Sequence, residues 1–116
     1  MDMNQALTAF SALSQDTRLR VFRLLVRAGP KGMPAGEISE ALAVRQNTLS
    51  ANLSILLGAG LVRNTREGRS IRYFADFDGL TSLLRFLMED CCGGSPELCQ
   101  TLLDEIACDP NREDCT

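Results

Sequence analysis

Apolar residues recur along this chain at two different periods, and the change of period divides it. In "NQALTAFSAL" the residues Leu7, Phe10 and Leu13 fall three apart, the spacing of one helical face. In "SQDTRLRVFRLLVRAGP" the residues Leu19, Phe22, Leu25 and Val26 predict a second apolar face, with Arg18, Arg20, Arg23 and Arg27 around it. Asp16 suits the N-cap of that helix, and Gly29–Pro30 stop it. After the turn "KGMP", Pro34 suits a first helical turn, and "AGEISEALAV" predicts a short helix with Ile38, Ala41 and Leu42 facing inward. Val44 and Arg45 make a tight connection to "QNTLSANLSILLGAG", a helix with Leu49, Leu53, Leu56 and Leu57 on one face and Gly58 and Gly60 at its end.

Beyond Gly60 the period shortens. "LVRNTREGRSIRYFAD" predicts two short strands, near 61–66 and 70–75, around the turn residues "EG". Asp76 or Asp78 can cap a further helix, "GLTSLLRFLMEDCC", striped by Leu80, Leu83, Leu84, Leu87 and Met88 and broken by Gly93 and Gly94. Ser95 and Pro96 read as the N-cap and first residue of a last short helix, "ELCQTLLDEIA". With no internal repeat and no long linker, the expectation is one domain over 1–103 and an acidic, mobile tail over 104–116. The order α-α-α-α-β-β-α, mainly helical with a small β-hairpin, is that of a winged helix-turn-helix. The Leu7/Phe10/Leu13 and Leu80/Leu84/Leu87 stripes lie on helices outside the helix-turn-helix, and they need a partner. A 116-residue chain also gains from the extra surface that oligomerisation buries, so a dimer is expected.

Charge changes this picture. The net charge is −3, yet residues 1–75 balance at +5 and residues 76–116 at −8. Nine of the ten basic residues in the first part are Arg, whose planar fork donates two parallel hydrogen bonds to phosphates and base edges. The acidic average therefore does not exclude nucleic acid. The second helix of the pair offers Gln46, Asn47, Thr48, Ser50, Asn52 and Ser54, with Arg45 at its start. Gln and Asn can pair bidentately with adenine, and Ser and Thr reach bases or phosphates. The hairpin adds Arg63, Arg66, Arg69 and Arg72 for phosphates or a minor groove. Polar residues opposite a leucine stripe are also what any solvated helix shows. The order of elements and the arginine-rich wing favour double-stranded DNA as partner.

"SQDTRLRVFRLL", "GEISEAL", "QNTLSANLSILLGAGLV" and "REGRSIRYF", in this order, resemble the ArsR family of metalloid- and metal-responsive repressors over about residues 5–90. The resemblance implies a dimeric winged-helix repressor released from operator DNA by an inducer. It also implies that the first helix and the helix at 79–91 form the dimer interface, through Leu7, Phe10, Leu13, Leu80, Leu84 and Leu87. Many arsenic-responsive relatives carry Cys-x-Cys in the first helix of the pair, where this chain has Ser39 and no thiol. Zinc-responsive relatives often use Asp and His on the last dimer helix, and this chain has no His.

The thiols stand elsewhere, in "EDCCGGSPELC". Adjacent Cα atoms lie about 3.8 Å apart, too close for an ordinary disulfide between Cys91 and Cys92. The two glycines let the chain reverse, so that Cys99, near the start of a helix that favours its thiolate, can fold back on the pair. Soft thiolates select soft centres. Three of them suit trivalent arsenic, whereas zinc prefers four ligands, which Cys108 or Cys115 could complete. Some arsenic-responsive relatives carry a C-terminal Cys-Cys…Cys site, so the resemblance implies As(III), with Sb(III) second, as inducer at Cys91, Cys92 and Cys99, and no cofactor for DNA binding itself. Three alternatives stay open: buried small hydrophobes, a redox or reactive-sulfur sensor, and a zinc or cadmium sensor. An enzyme is disfavoured, because Cys-x₅-Arg, Cys-x-x-Cys and His are all missing. No signal-like or membrane-spanning run stands in the sequence, which predicts a cytoplasmic protein with reduced thiols and no membrane partner.

Overall fold

The computed structural model describes residues 1–89 and 96–106. Helix α1 (Met3–Leu13) opens on a capping box. The Asp2 carboxylate accepts from the Gln5 N–H at 2.8 Å, and the Gln5 side chain accepts from the Asp2 N–H at 2.9 Å. Its inward face is made of alanine: Ala6, Ala9 and Ala12 are buried. Leu7 and Phe10 point away from the protomer, 57% and 41% exposed, and Leu13 is half-buried.

Helix α2 (Asp16–Ala28) is capped by Gln15, not by Asp16 as the sequence suggests. The longer Gln15 side chain reaches the Arg18 N–H at 2.9 Å, which leaves Asp16 free to pair with Arg20 one turn on, at 3.1 Å. Val21, Phe22 and Leu25 fill the core from this helix; Leu19 lies off that stripe and is exposed. A single 3₁₀ turn (Gly29–Lys31) leads to Gly32, which is buried at φ +60°. A Cβ there would run into the Tyr73 carbonyl and the Phe74 ring, so only glycine fits.

The short strand β1 (Met33–Pro34) was not expected, because two residues show no alternation. Pro34 is extended and occupies the N-cap of α3 (Ala35–Leu42) instead of its first turn. In α3 Ile38 is fully buried and Leu42 half-buried, while Ala41 faces solvent, contrary to expectation. The turn to α4 (Gln46–Gly58) puts Ala43 in the left-handed region at φ 53°. A reciprocal pair pins that turn: the Val44 N–H donates to the Ser39 carbonyl at 3.0 Å, and the Ser39 hydroxyl donates to the Val44 carbonyl. Leu49, Leu53 and Leu56 bury the inner face of α4.

Strands β2 (Val62–Glu67) and β3 (Ser70–Ala75) pair antiparallel, with Glu67 opposite Ser70 and Gly68–Arg69 at the tip. β1 pairs with the other edge of β3, giving a three-stranded sheet in the order β1-β3-β2. Tyr73 and Ala75 carry the sheet into the core. Helix α5 (Phe77–Leu87) is entered through Asp76, whose carboxylate accepts from the Gly79 N–H at 3.1 Å. A Cβ at Gly79 would overlap the Gly60 carbonyl, so glycine lets α5 lie against the turn after α4. Leu83 is buried, Leu80 half-buried, and Leu84 and Leu87 are 44% and 58% exposed. α5 ends at Leu87, with Met88–Glu89 in a turn, short of the expected Cys92. The acidic side chain of Glu89 opposes the negative end of the helix dipole.

Helix α6 (Pro96–Ile106) forms where the last short helix is expected. Contacts divide the chain into the units Met1–Phe86 and Leu87–Thr116. Among the described residues no helix is long and apolar enough to cross a membrane.

Candidate nucleic-acid interface

The two helices α3 and α4 with the β2–β3 hairpin form a helix-turn-helix with one wing. Leu49, Leu53 and Leu56 anchor α4 in the core, which fixes which residues look outward. Gln46, Asn47, Thr48, Ser50 and Ser54 are all exposed, on the first turns and the outer face. Arg45 is the N-cap, with extended backbone and no side-chain cap hydrogen bond. The Gln46 and Asn47 amides therefore meet solvent as donors at the positive end of the helix, an arrangement suited to a phosphate oxygen. The Asn47 side chain accepts from the Thr48 N–H at 2.9 Å, leaving its amide donors outward.

Asn52 does not stand with this set. It is buried, 8% exposed, on the leucine side of α4. Its carbonyl accepts from Arg18 Nη1 at 3.1 Å, and its amide donates to the Thr48 carbonyl at 3.1 Å. Arg18 Nε in turn donates to the Ala12 carbonyl at 2.7 Å. One chain of hydrogen bonds thus ties the end of α1, the start of α2 and the middle of α4. Asn52 and Arg18 hold the recognition helix; they do not face a ligand. The spacing held a clue, since Asn52 lies three residues after Leu49 and four before Leu56, on the buried stripe.

The four wing arginines divide in the same way. Arg66 and Arg69 are exposed beside and at the hairpin tip. Arg63 is exposed, with its guanidinium 4.4 Å from the centroid of the Phe74 ring, a cation–π contact that limits its sweep. Arg72 is half-buried and engaged twice: Nε donates to Glu67 Oε1 at 2.9 Å and Nη1 to the Lys31 carbonyl at 3.0 Å. It braces the wing against the turn before β1 and is not a free phosphate contact. Between wing and reading helix lies a cleft of about 400 Å³, bordered by Gln46, Ser50, Ser70 and Tyr73. Gln46 and Ser50 therefore present side chains both outward and toward the wing.

The remaining sequence-derived sites are placed unequally. Four residues of the expected dimer stripes, Leu7, Phe10, Leu84 and Leu87, are exposed, and Leu13 and Leu80 are half-buried. Cys99 lies within α6. Cys91 and Cys92, the glycines between them and Cys99, Ser95, and the tail with Cys108 and Cys115 lie outside the described residues. Among the described residues no group of three or more His, Cys, Asp or Glu could hold a metal ion.

Comparison with known proteins agrees with this architecture. Residues 13–65 match the family described as "Helix-turn-helix domain". The HTH-type transcriptional regulator NmtR of Mycobacterium tuberculosis is 36% identical over 69 residues, 60% of this chain and 55% of that protein. An ArsR-like transcriptional regulator from Rhodococcus sp. RHA1 superposes with TM-score 0.66 at 27% identity, covering 90% of this chain and 93% of the other. The homodimeric winged helix-turn-helix DNA-binding domain of Mb0332 from Mycobacterium bovis, described as a possible ArsR-family regulator, gives TM-score 0.62 at 28% identity, covering 76% and 82%.

Proposed function

We propose that this chain, a winged helix-turn-helix transcriptional regulator of the ArsR type and not an enzyme, is an inducible repressor. It grips double-stranded operator DNA as a homodimer in the cytoplasm and releases it when As(III), or Sb(III), is taken by Cys91, Cys92 and Cys99. The DNA half of this proposal is carried by one observation: the exposed polar face of α4 and the free tip arginines Arg66 and Arg69 point outward from a helix-turn-helix whose inner face is anchored. Base edges fall to Gln46, Asn47, Thr48 and Ser50, and phosphates to Arg45, Arg63, Arg66 and Arg69. The exposed Leu7, Phe10, Leu84 and Leu87 support the homodimer, as does the homodimeric state of the Mb0332 domain.

The inducer half rests on the donor set. Three soft thiols occur within nine residues of a chain that has no His, and Cys99 is the fourth residue of α6, at the thiolate-favouring end of a helix. Three thiolates complete the coordination of trivalent arsenic.

The test is operator binding with and without arsenite across Cys91→Ser, Cys92→Ser, Cys99→Ser, Cys108→Ser and Cys115→Ser, with bound arsenic counted per chain. The first three variants should bind DNA and ignore arsenite, and the last two should behave as the parent. A response that survives loss of Cys99 defeats the three-thiol site. Release by peroxide or persulfide with no metalloid bound would replace it with thiol oxidation. Release by zinc or cadmium alone would replace it with a thiolate metal site.

A further inference from the structure

Helix α2 carries a second basic surface that neither the reading helix nor the wing uses. Arg20, Arg23 and Arg27 follow one another at the spacing that stacks side chains along a single helical stripe. All three are exposed, on the face of α2 opposite Val21 and Leu25. With Leu24 and Leu42 they border a cleft of about 390 Å³ between α2 and the end of α3. Arg20 also pairs with Asp16 at 3.1 Å, an exposed ion pair that exchanges readily with other anions. Arg23 and Arg27 lie one turn apart and repel each other, so the stripe stabilises the isolated helix less than a mixed one would. Like charges gathered around a cleft are complementary to a run of phosphates.

Placement ties this surface to DNA in particular. Leu42, on the cleft's border, is the last residue of α3, and the turn Ala43–Arg45 that follows it delivers the amino end of α4. The cleft beside the arginine stripe is therefore bordered by a residue, Leu42, that three residues separate from the helix end that meets the groove. We propose that Arg20, Arg23 and Arg27 form an additional phosphate-binding surface that grips the duplex backbone beside the base pairs read by α4. The proposal rests on the DNA-binding function set out above. Contacts of this kind carry no sequence information; they lengthen the footprint and steepen the salt dependence.

The experiment compares the parent with R23A/R27A, which leaves the Arg20–Asp16 pair intact. The probe is the tightest duplex recovered from a random-sequence pool, made in lengths of about 20 and about 40 base pairs, lengths set by the span of dimeric sites. Each phosphate contact contributes about 0.9 to the slope of log affinity against log salt. Two lost contacts per subunit should make the slope shallower by about 1.8 per subunit, or about 3.6 for a dimer, and the parent's advantage should be larger on the longer duplex. The order of preference among base-substituted duplexes should not change. R66A/R69A serves as the wing control.

A slope unchanged in R23A/R27A but lowered in the wing variant overturns the proposal and leaves DNA binding standing. A parent that shows no salt-dependent duplex binding at all overturns the DNA function as well. Inorganic phosphate supplies the remaining arm. If it raises the melting temperature of the parent but not of R23A/R27A, while the duplex slope is the same for both, the cleft is a small-anion site and the proposal fails. Equal melting temperatures of parent and variant without added phosphate confirm that the comparison is between folded proteins.

Discussion

Replacing Asn52 separates a side chain that holds the recognition helix from one that reads DNA. Asn52→Ala removes the acceptor for Arg18 Nη1 and the donor to the Thr48 carbonyl, both at 3.1 Å. A buried bond to a charged group contributes about 1.5–3 kcal/mol and a neutral one about 1. Two facts reduce the sum. Arg18 is half-buried, so water can reach its freed N–H, and its Nε keeps the Ala12 carbonyl at 2.7 Å. The Thr48 carbonyl also keeps its backbone partner one turn along α4, so it loses only a second hydrogen bond. A net cost of about 2 kcal/mol follows, read as a shift of the denaturant midpoint at unchanged slope. Arg18→Ala should cost a similar amount, and the double variant less than the sum, with a coupling of about 1 kcal/mol. Operator affinity measured where each variant is fully folded should fall little, with base preferences intact. A loss confined to one base pair, at unchanged stability, would refute this and return Asn52 to the reading face.

Gln46→Ala should relax preference at one base pair by about 1–3 kcal/mol in a competition panel, whereas R66A/R69A should weaken all duplexes together and flatten the salt slope. Gly32→Ala should cost at least about 3 kcal/mol in unfolding experiments, because it adds left-handed strain to an overlap with the Tyr73 carbonyl. L7A/L84A should weaken self-association in sedimentation: two exposed leucines on each of two chains lose about 1 kcal/mol apiece, a dimer weaker by roughly a thousandfold.

Periodicity made most helices legible, because a leucine stripe and a glycine stop are local signals. It did not show the face that α1 gives to its own protomer. Leu7, Phe10 and Leu13 read as a stripe for a partner, and Ala6, Ala9 and Ala12, which the protomer buries, are too small to stand out as a stripe. Small residues let α1 approach closely and leave its large residues for another surface. β1 was illegible for a different reason. It exists only because Met33 and Pro34 pass the edge of β3, opposite Tyr73 and Arg72, and that pairing is long-range. The helix cap at Gln15 likewise follows from side-chain reach, which a preference for Asp does not capture.

The interface shows why candidate readers are overcounted in a sequence. Asn52 and Arg72 have the residue types that touch DNA, and both are engaged by partners within the protein. The reading helix must be held at a fixed angle, and polar side chains do part of that work. Asn52 reaches Arg18 from α4, and Arg72 reaches Lys31 from the wing. Residue type alone cannot separate holding from reading, since both need donors and acceptors of the same kind. Phase separates some of them. Asn52 falls on the leucine side of its helix, whereas Asn47 and Ser50 fall off it; Gln46, three residues before Leu49, shares the leucine phase and is exposed as the first residue of the helix. On a strand the period is two, so Arg72 shares a face with Phe74 and Ser70, opposite the buried Tyr73, and phase places it outside with the readers. Only its pairing with Glu67 across the hairpin and with the Lys31 carbonyl reveals the brace, and those partners meet it through the fold. Arg72→Ala should therefore loosen the wing without relaxing base preference. Hydrogen exchange of the β3 amides should quicken, while the salt slope should move less than it does for Arg69→Ala. An equal loss of slope in both variants would make Arg72 a phosphate contact after all.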